Sequence, residues 1–338
     1  VCSSDLGRVM TTVRDFVVPL AGLPIAIERT YDSLERSVIG DFGFGWKLAI
    51  NSARLTVGPA AQQVTLTMNG QRKTFYFTPV ANGIFQFFYV PAWTGEPGFY
   101  GSMAATGDNC GGVVVRVGNV YACGIQPGLY VPTGYVYTDP AGRKYTFAGD
   151  GKLVSVRDLN GNTLTFATDG ITSSNGGLKI AFLRDGVGRI TRITDPLGKH
   201  YTYGYNGQGE LATVTLPSVA TPQEYTYDPG HLLKTLKDAR GNTVASATYD
   251  GSGRVLTETD AVGSTKSYAY NLALRTTTTT NPDTGVELVE QDPQGNVVRR
   301  VDGLNRTWLY SFDANNNQLT ETNPLGKTWT STYNAQGF

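Results

Sequence analysis

From Asp139 onward the chain alternates. In "HYTYGY" (200–205), "EYTYD" (224–228) and "SYAYN" (267–271), rings stand at every second position with small or polar residues between. A period of two puts those rings on one face of a β-strand. Each run leads into a polar stretch such as "NGQG" (206–209) or "DGSG" (250–253). A second run then mixes aliphatic residues with Thr, as in "ELATVTL" (210–216) and "RVLTETD" (254–260). No long segment carries apolar residues at helical spacing. The pattern predicts an all-β chain made of hairpins, two strands to a unit.

The punctuation is regular. Turns open at Asp139, Asp158, Asp195, Asp238, Asp260, Asn281, Asp302 and Asn323, and the last four intervals are 21 or 22 residues. In "DPLG", "DARG", "DAVG" and "NPLG" the Asp or Asn side chain can bond its own turn, and Gly accepts positive φ. Aromatic pairs recur as Tyr145/Phe147, Tyr201/Tyr203/Tyr205, Tyr225/Tyr227, Tyr268/Tyr270 and Tyr310/Phe312. A lone hairpin is marginal in water, so stability is expected from neighbours, with rings packed between successive hairpins. One parity conflict stands out. Leu211 and Val214 fall on opposite faces of a regular strand, which calls for a bulge or for burial on both sides.

These units resemble the YD repeats of the Rhs family. The resemblance is carried by "YTYDPGHLLKTLKD" (Tyr225, Tyr227, Asp228), "ATYDGSGRVLTETD" (Tyr249, Asp250) and "YSFDANNNQLTETN" (Tyr310, Phe312, Asp313), with Tyr333 near the end. It covers Asp139 to the end. Asn replaces the Asp at Asn206, Asn271 and Asn334, the 281–302 unit lacks its aromatic pair, and "TTTTT" (276–280) replaces a mixed strand. Residues 7–135 show little period and read as a non-repeating β region ahead of the repeats of 136–338. There, "ERTYDS" and "GDFGFGWKLAI" resemble the segment that opens the repeat shell in Rhs-type proteins, at Arg29, Tyr31, Gly43, Gly45 and Trp46. Further strands follow in "QVTLTMNG", "KTFYFTPV" and "GIFQFFYV", with Asn69-Gly70 as a hairpin turn. This region is expected to form first β layers, or a cap, continuous with the repeats.

Composition narrows the function. Lys+Arg and Asp+Glu are equal at 28 each, which argues against the basic stripe of a nucleic-acid partner. No apolar stretch approaches the ~20 residues of a membrane helix. The two histidines, His200 and His231, form no cluster with cysteine, so neither a metal nor another cofactor is expected. Most carboxylates sit at turn starts, and no catalytic constellation is read. Cys110 and Cys123 flank a hairpin turning at Gly118-Asn119. That turn places Cys123 opposite Val114, so a disulfide needs another register or a bulge; two buried thiols are the alternative. The first six residues, Val1 to Leu6, back-translate to a sequence like the end of a sequencing adapter, and the chain stops inside a repeat. Both ends read as breaks in a longer gene.

The resemblance implies a secreted or cell-surface structural shell, not an enzyme. In that family the shell is followed by a self-cleaving motif and a variable toxin domain, so the implied partners are further repeats and a C-terminal toxin of the same polypeptide. The alternative is an adhesin that binds carbohydrate on its tyrosine rows.

Overall fold

The computed structural model describes residues 2–3, 7–20, 22–68, 71–82, 87–97, 99, 101–124 and 127–333. Among them, 21 strands form one antiparallel sheet. It begins with Ser102–Asp108 paired to Pro132–Thr138, and from there every strand pairs with the next in sequence as far as Thr328–Thr330. This is the hairpin meander that the alternation predicts, drawn out as one continuous wall. The 135/136 division falls inside the Pro132–Thr138 strand, whose inward Tyr135 and Tyr137 are buried.

The parity conflict resolves as a recurring bulge. The ladder shifts by one residue beside Phe147, Arg184, Tyr205, Tyr227, Tyr249, Gln291 and Phe312. In each case the return strand carries the extra residue. Tyr205 pairs with Leu211 and Gly204 with Thr213, which leaves Ala212 unmatched. Residues three apart then face the same way, so Leu211 and Val214 are both buried, as are Ile190 and Ile193. Bulges also sharpen local twist and bend the strand, which suits a wall that curves. The Thr276–Thr280 strand pairs with Thr265–Asn271 without any shift.

Apart from Ser102–Asp108, the described strands ahead of Pro132 do not join this sheet. They make separate small sheets. One contains Val9–Val18, Ile25–Asp32 and Trp46–Leu48; another contains Arg54–Val57, Gln63–Met68, Gln71–Phe77 and Trp93–Gly95. Met68 pairs with Gln71, while the Asn69-Gly70 turn itself lies outside the described residues, as do Asn334, Phe338 and, apart from the backbone of Cys2–Ser3, Val1 to Leu6. The front sheets lie on the inner face of the wall and share one core with it: Ile25, Ile27, Phe42, Trp46 and Phe75 pack with Ile190, Leu211, Tyr203 and Tyr225. Of the two expected forms, Ser102–Asp108 joins the repeat sheet as a first strand, while the sheets before it lie against the repeats as a cap. The front segment fills the concave side because its rings and branched chains need cover that a one-layer sheet cannot supply to itself.

A second, smaller core holds the cysteines. Val114 pairs with Cys123 across the Gly118-Asn119 turn, in the register the turn dictates. Cys110 and Cys123 are nevertheless bonded, with Cα atoms 4.6 Å apart. The expected need for another register is corrected: the chain loops back before the strand. Asp108 Oδ1 accepts from the amides of Cys110 and Gly112, which folds Cys110 against its partner.

Candidate functional site

The junction between the front segment and the repeat wall is built around Arg29. Its side chain and that of Asp15 are 0% and 1% exposed. The guanidinium donates to both carboxylate oxygens, Nη2 to Oδ1 at 2.8 Å and Nε to Oδ2 at 2.9 Å. Nη1 donates to Tyr225 Oη at 2.9 Å, and Tyr203 Oη donates to Asp15 Oδ2 at 2.7 Å. The cation also lies within 6 Å of the rings of Trp46, Tyr203 and Tyr225. Burial works against the charge, but Tyr225, Asp15 and Tyr203 outweigh it, so the Arg29 pKa stands above its ordinary value. A buried ion pair survives only when its remaining donors and acceptors are satisfied, and here repeat tyrosines satisfy them. Burial, reinforced by the Asp15 charge, also lifts Tyr203 well above the normal tyrosine range.

The other opening residues extend this contact. Trp46 is fully buried; its indole N–H donates to Tyr227 Oη at 2.8 Å, and its ring meets Tyr225 edge-on. Tyr31 Oη donates to the carbonyl of His231 and accepts from the Leu233 amide, while burial pushes its pKa up to about 12. Gly43 and Gly45 hold φ of 90° and 72°. A Cβ on Gly43 would stand 2.5 Å from the Gly209 carbonyl, and one on Gly45 would stand 2.7 Å from the Tyr31 ring, so both positions require glycine. Phe42 packs on Tyr203 and Phe16 stacks on Tyr201. Sequence reading did not single out Asp15 or Phe16. An acid in the middle of the apolar strand "VRDFVV" was the available signal for Asp15.

The repeat tyrosines divide by their neighbours. Tyr201, Tyr203, Tyr225 and Phe147 are buried, and Tyr145 stacks on Tyr137. Tyr268, Tyr270, Tyr310 and Phe312 are half-buried. The rings of 201–227 are covered by the front segment, not by successive hairpins, and this corrects the expected packing. It also removes those rings as a platform for carbohydrate.

The tyrosine that precedes each turn has a further, repeated use. Tyr205 donates to the Ile190 carbonyl, Tyr227 to Leu211, Tyr249 to Leu233, Tyr270 to Val255 and Tyr333 to Gln318. Every acceptor is the residue at which the bulge of the preceding return strand begins, and all but Leu233 are the first residue of that strand. The hydroxyl thus ties each hairpin to the one before it and satisfies a carbonyl at the bulge.

The turn carboxylates are engaged in the same systematic way. At Asp158, Asp185, Asp195, Asp238, Asp250, Asp260, Asp292, Asp302 and Asp313, Oδ1 accepts from the amides two and four residues on. Side chains of Asn162, Asn296, Arg306 and Asn317 hold Asp158, Asp292, Asp302 and Asp313 below the usual carboxylate range. Asp228 pairs instead with Lys234. Asn206 replaces Asp where the partner four residues on is Glu210; its amide donates to Glu210 Oε2, and His231 Nδ1 lies 2.8 Å from Oε1. No group of three metal-ligating side chains occurs among the described residues. A groove along the front segment is lined by Asp41, Arg54, Asp150, Lys152, Phe166 and Arg184; Asp41 pairs with Arg184 and Asp150 with Lys152.

The RHS Repeat family model matches residues 184–218 and 292–328. A model described as a domain of unknown function, DUF6531, matches residues 4–76. No curated protein matches the chain at a significant level. Among solved structures, TcdB2-TccC3 aligns at 11% identity over 97% of this chain and 23% of its own, with a TM-score of 0.34. TcdB2-TccC3 without its hypervariable C-terminal region aligns at 11% identity over 80% of this chain and 21% of its own, with a TM-score of 0.32. The chain thus spans less than a quarter of these structures. Two repeat-model matches fall on one wall of antiparallel hairpins with a recurring tyrosine tie, and the chain accordingly carries RHS repeats at residues 184–218 and 292–328.

Proposed function

We propose that this chain is the opening arc of a non-catalytic shell that encloses a toxic C-terminal domain of the same polypeptide. The observation that carries this reading is the junction. The front segment fills the concave face along strands 190–255 through a buried Arg29–Asp15 pair. Farther along the same face the rings of Tyr310 and Phe312 are only half-buried. The front segment, in this reading, closes this end of the wall and leaves a lumen beyond it. In this reading Arg29, Tyr31, Gly43, Gly45 and Trp46 dock the opening segment, and the repeat tyrosines hold each hairpin to its predecessor. The Cys110–Cys123 disulfide suits an oxidising compartment, in keeping with secretion or cell-surface display. No described helix is long and apolar enough to cross a membrane.

The test uses the full-length product of the gene, exposed to a broad-specificity protease before and after partial denaturation. Expected is a C-terminal passenger that survives while the shell is folded and is cut once Arg29→Met has loosened the junction. A passenger cut equally fast in both proteins, or a gene product that ends in repeats and an anchor, refutes the shell.

A further inference from the structure

The two rims of the wall differ. Alternate connections of an antiparallel meander emerge on opposite edges. On the rim that follows the tyrosine strands, the tip residue, third in each five-residue turn, is polar at Asp150, Gln208, Ser252, Gln294 and Asn315, Gly at Gly230 and aliphatic at Val187, while the 271–275 turn exposes Leu272 and Leu274. On the opposite rim the corresponding tips include Leu197, Val262, Leu304 and Leu325, which are 81%, 84%, 74% and 91% exposed. The polar tips on that rim are Asn160 and the charged Arg240 and Asp283, all exposed. Their side chains join no salt bridge among the described residues. Four exposed aliphatic tips thus share one rim with an Arg and an Asp tip interspersed among them.

The order of these tips is self-complementary. Successive tips stand two strands apart, about 9.5 Å. A two-fold axis through Val262, perpendicular to the rim, sets Val262 against its own copy. One step out it sets Arg240 against Asp283, and at the third step Leu197 against Leu325. At the second step the longer 216–222 connection, which carries Val219, meets Leu304. Such an axis carries a curved rim onto itself, so the contact can run along the whole arc, with each residue's partner reciprocated. The Arg240–Asp283 match occurs twice, and the chain has zero net charge to oppose association.

We infer that this rim is an interaction surface whose partner is a second copy of the chain, seated rim to rim about Val262. The inference goes beyond the shell reading and does not depend on it. The contact is narrow, so the dimer is weak and concentration-dependent.

The test is sedimentation equilibrium from about 1 μM to about 1 mM, with circular dichroism to confirm that each variant folds. Expected is a monomer–dimer equilibrium that Arg240→Glu and Asp283→Lys each weaken by roughly tenfold, since each sets two like charges together. The double variant restores it. In a Cys2→Ser background, Val262→Cys forms a disulfide dimer on mild oxidation, Leu197→Cys does not, and Leu197→Cys with Leu325→Cys together does. The inference is overturned by a monomer at every concentration, by a double charge swap without rescue, or by Leu197→Cys cross-linking as fast as Val262→Cys. It also fails if association is lost on Trp308→Ser, on the inner face, and untouched by rim variants.

Discussion

Removing one oxygen from Tyr227 tests the tyrosine tie directly. Tyr227 Oη donates to the Leu211 carbonyl and accepts from the Trp46 indole, both at 2.8 Å. Tyr227→Phe keeps the ring but strands a carbonyl and an indole N–H in a dry site. Each buried group left without a partner costs about 1–3 kcal/mol, so the variant should lose about 2–4 kcal/mol. Tyr249→Phe breaks only the bond to the Leu233 carbonyl and should lose about 1–2 kcal/mol. Tyr333 sits at an exposed position, with its hydroxyl on Gln318, and Tyr333→Phe should lose less than about 0.5 kcal/mol. The assay is urea unfolding followed by tryptophan fluorescence and by circular dichroism, which must coincide for a single free energy to be defined. A loss near 3 kcal/mol would lower the melting temperature of a chain of this length by about 4 °C if it melts as one unit. Equal losses in all three variants would refute the reasoning, because the tie would then be no stronger where it is buried and doubly used.

Other outcomes follow from the same geometry. Arg29→Met leaves Asp15 buried beside Tyr203 without its cation and should cost about 3–5 kcal/mol, part of which Arg29→Met with Asp15→Leu recovers; denaturant midpoints of both variants check this. Deleting Ala212 removes one bulge and turns either Leu211 or Val214 outward, for a loss of about 1.5–3 kcal/mol in the same assay. The turn carboxylates of Asp158, Asp292, Asp302 and Asp313 are depressed by side-chain hydrogen bonds. Their contribution is therefore present above an unfolded pKa near 4 and is lost as pH falls through their lower folded values; unfolding measured from about pH 6 down to about pH 2 should show this loss, and replacing the four with Asn should flatten it. Reducing Cys110–Cys123 should remove up to about 3 kcal/mol from the small core around Phe77 and Tyr130. Hydrogen exchange should then report faster opening there, with the Arg29 junction unchanged.

Much of the wall was legible in the chain because its determinants are local. Alternation fixes which way a ring points, and an Asp or Asn with Gly or Asn three residues on fixes a turn, whatever lies elsewhere. Hence the hairpins, their order and the Cys123–Val114 register all follow from a few adjacent residues. Even the bulge announced itself, as two aliphatic residues three apart in a strand. What each ring touches could not be read the same way. Tyr203 and Tyr310 belong to similar local phrases, yet one is buried on Asp15 and Phe42 while the other is half-exposed. The difference comes from a cover that starts nearly 190 residues earlier, and a period-two pattern carries no information about which face of a sheet will meet it. Arg29 and Asp15 show the same limit. Each is an ordinary charge in its own strand, and only the closure of two sheets around them removes the water that would otherwise have made their pairing worth little.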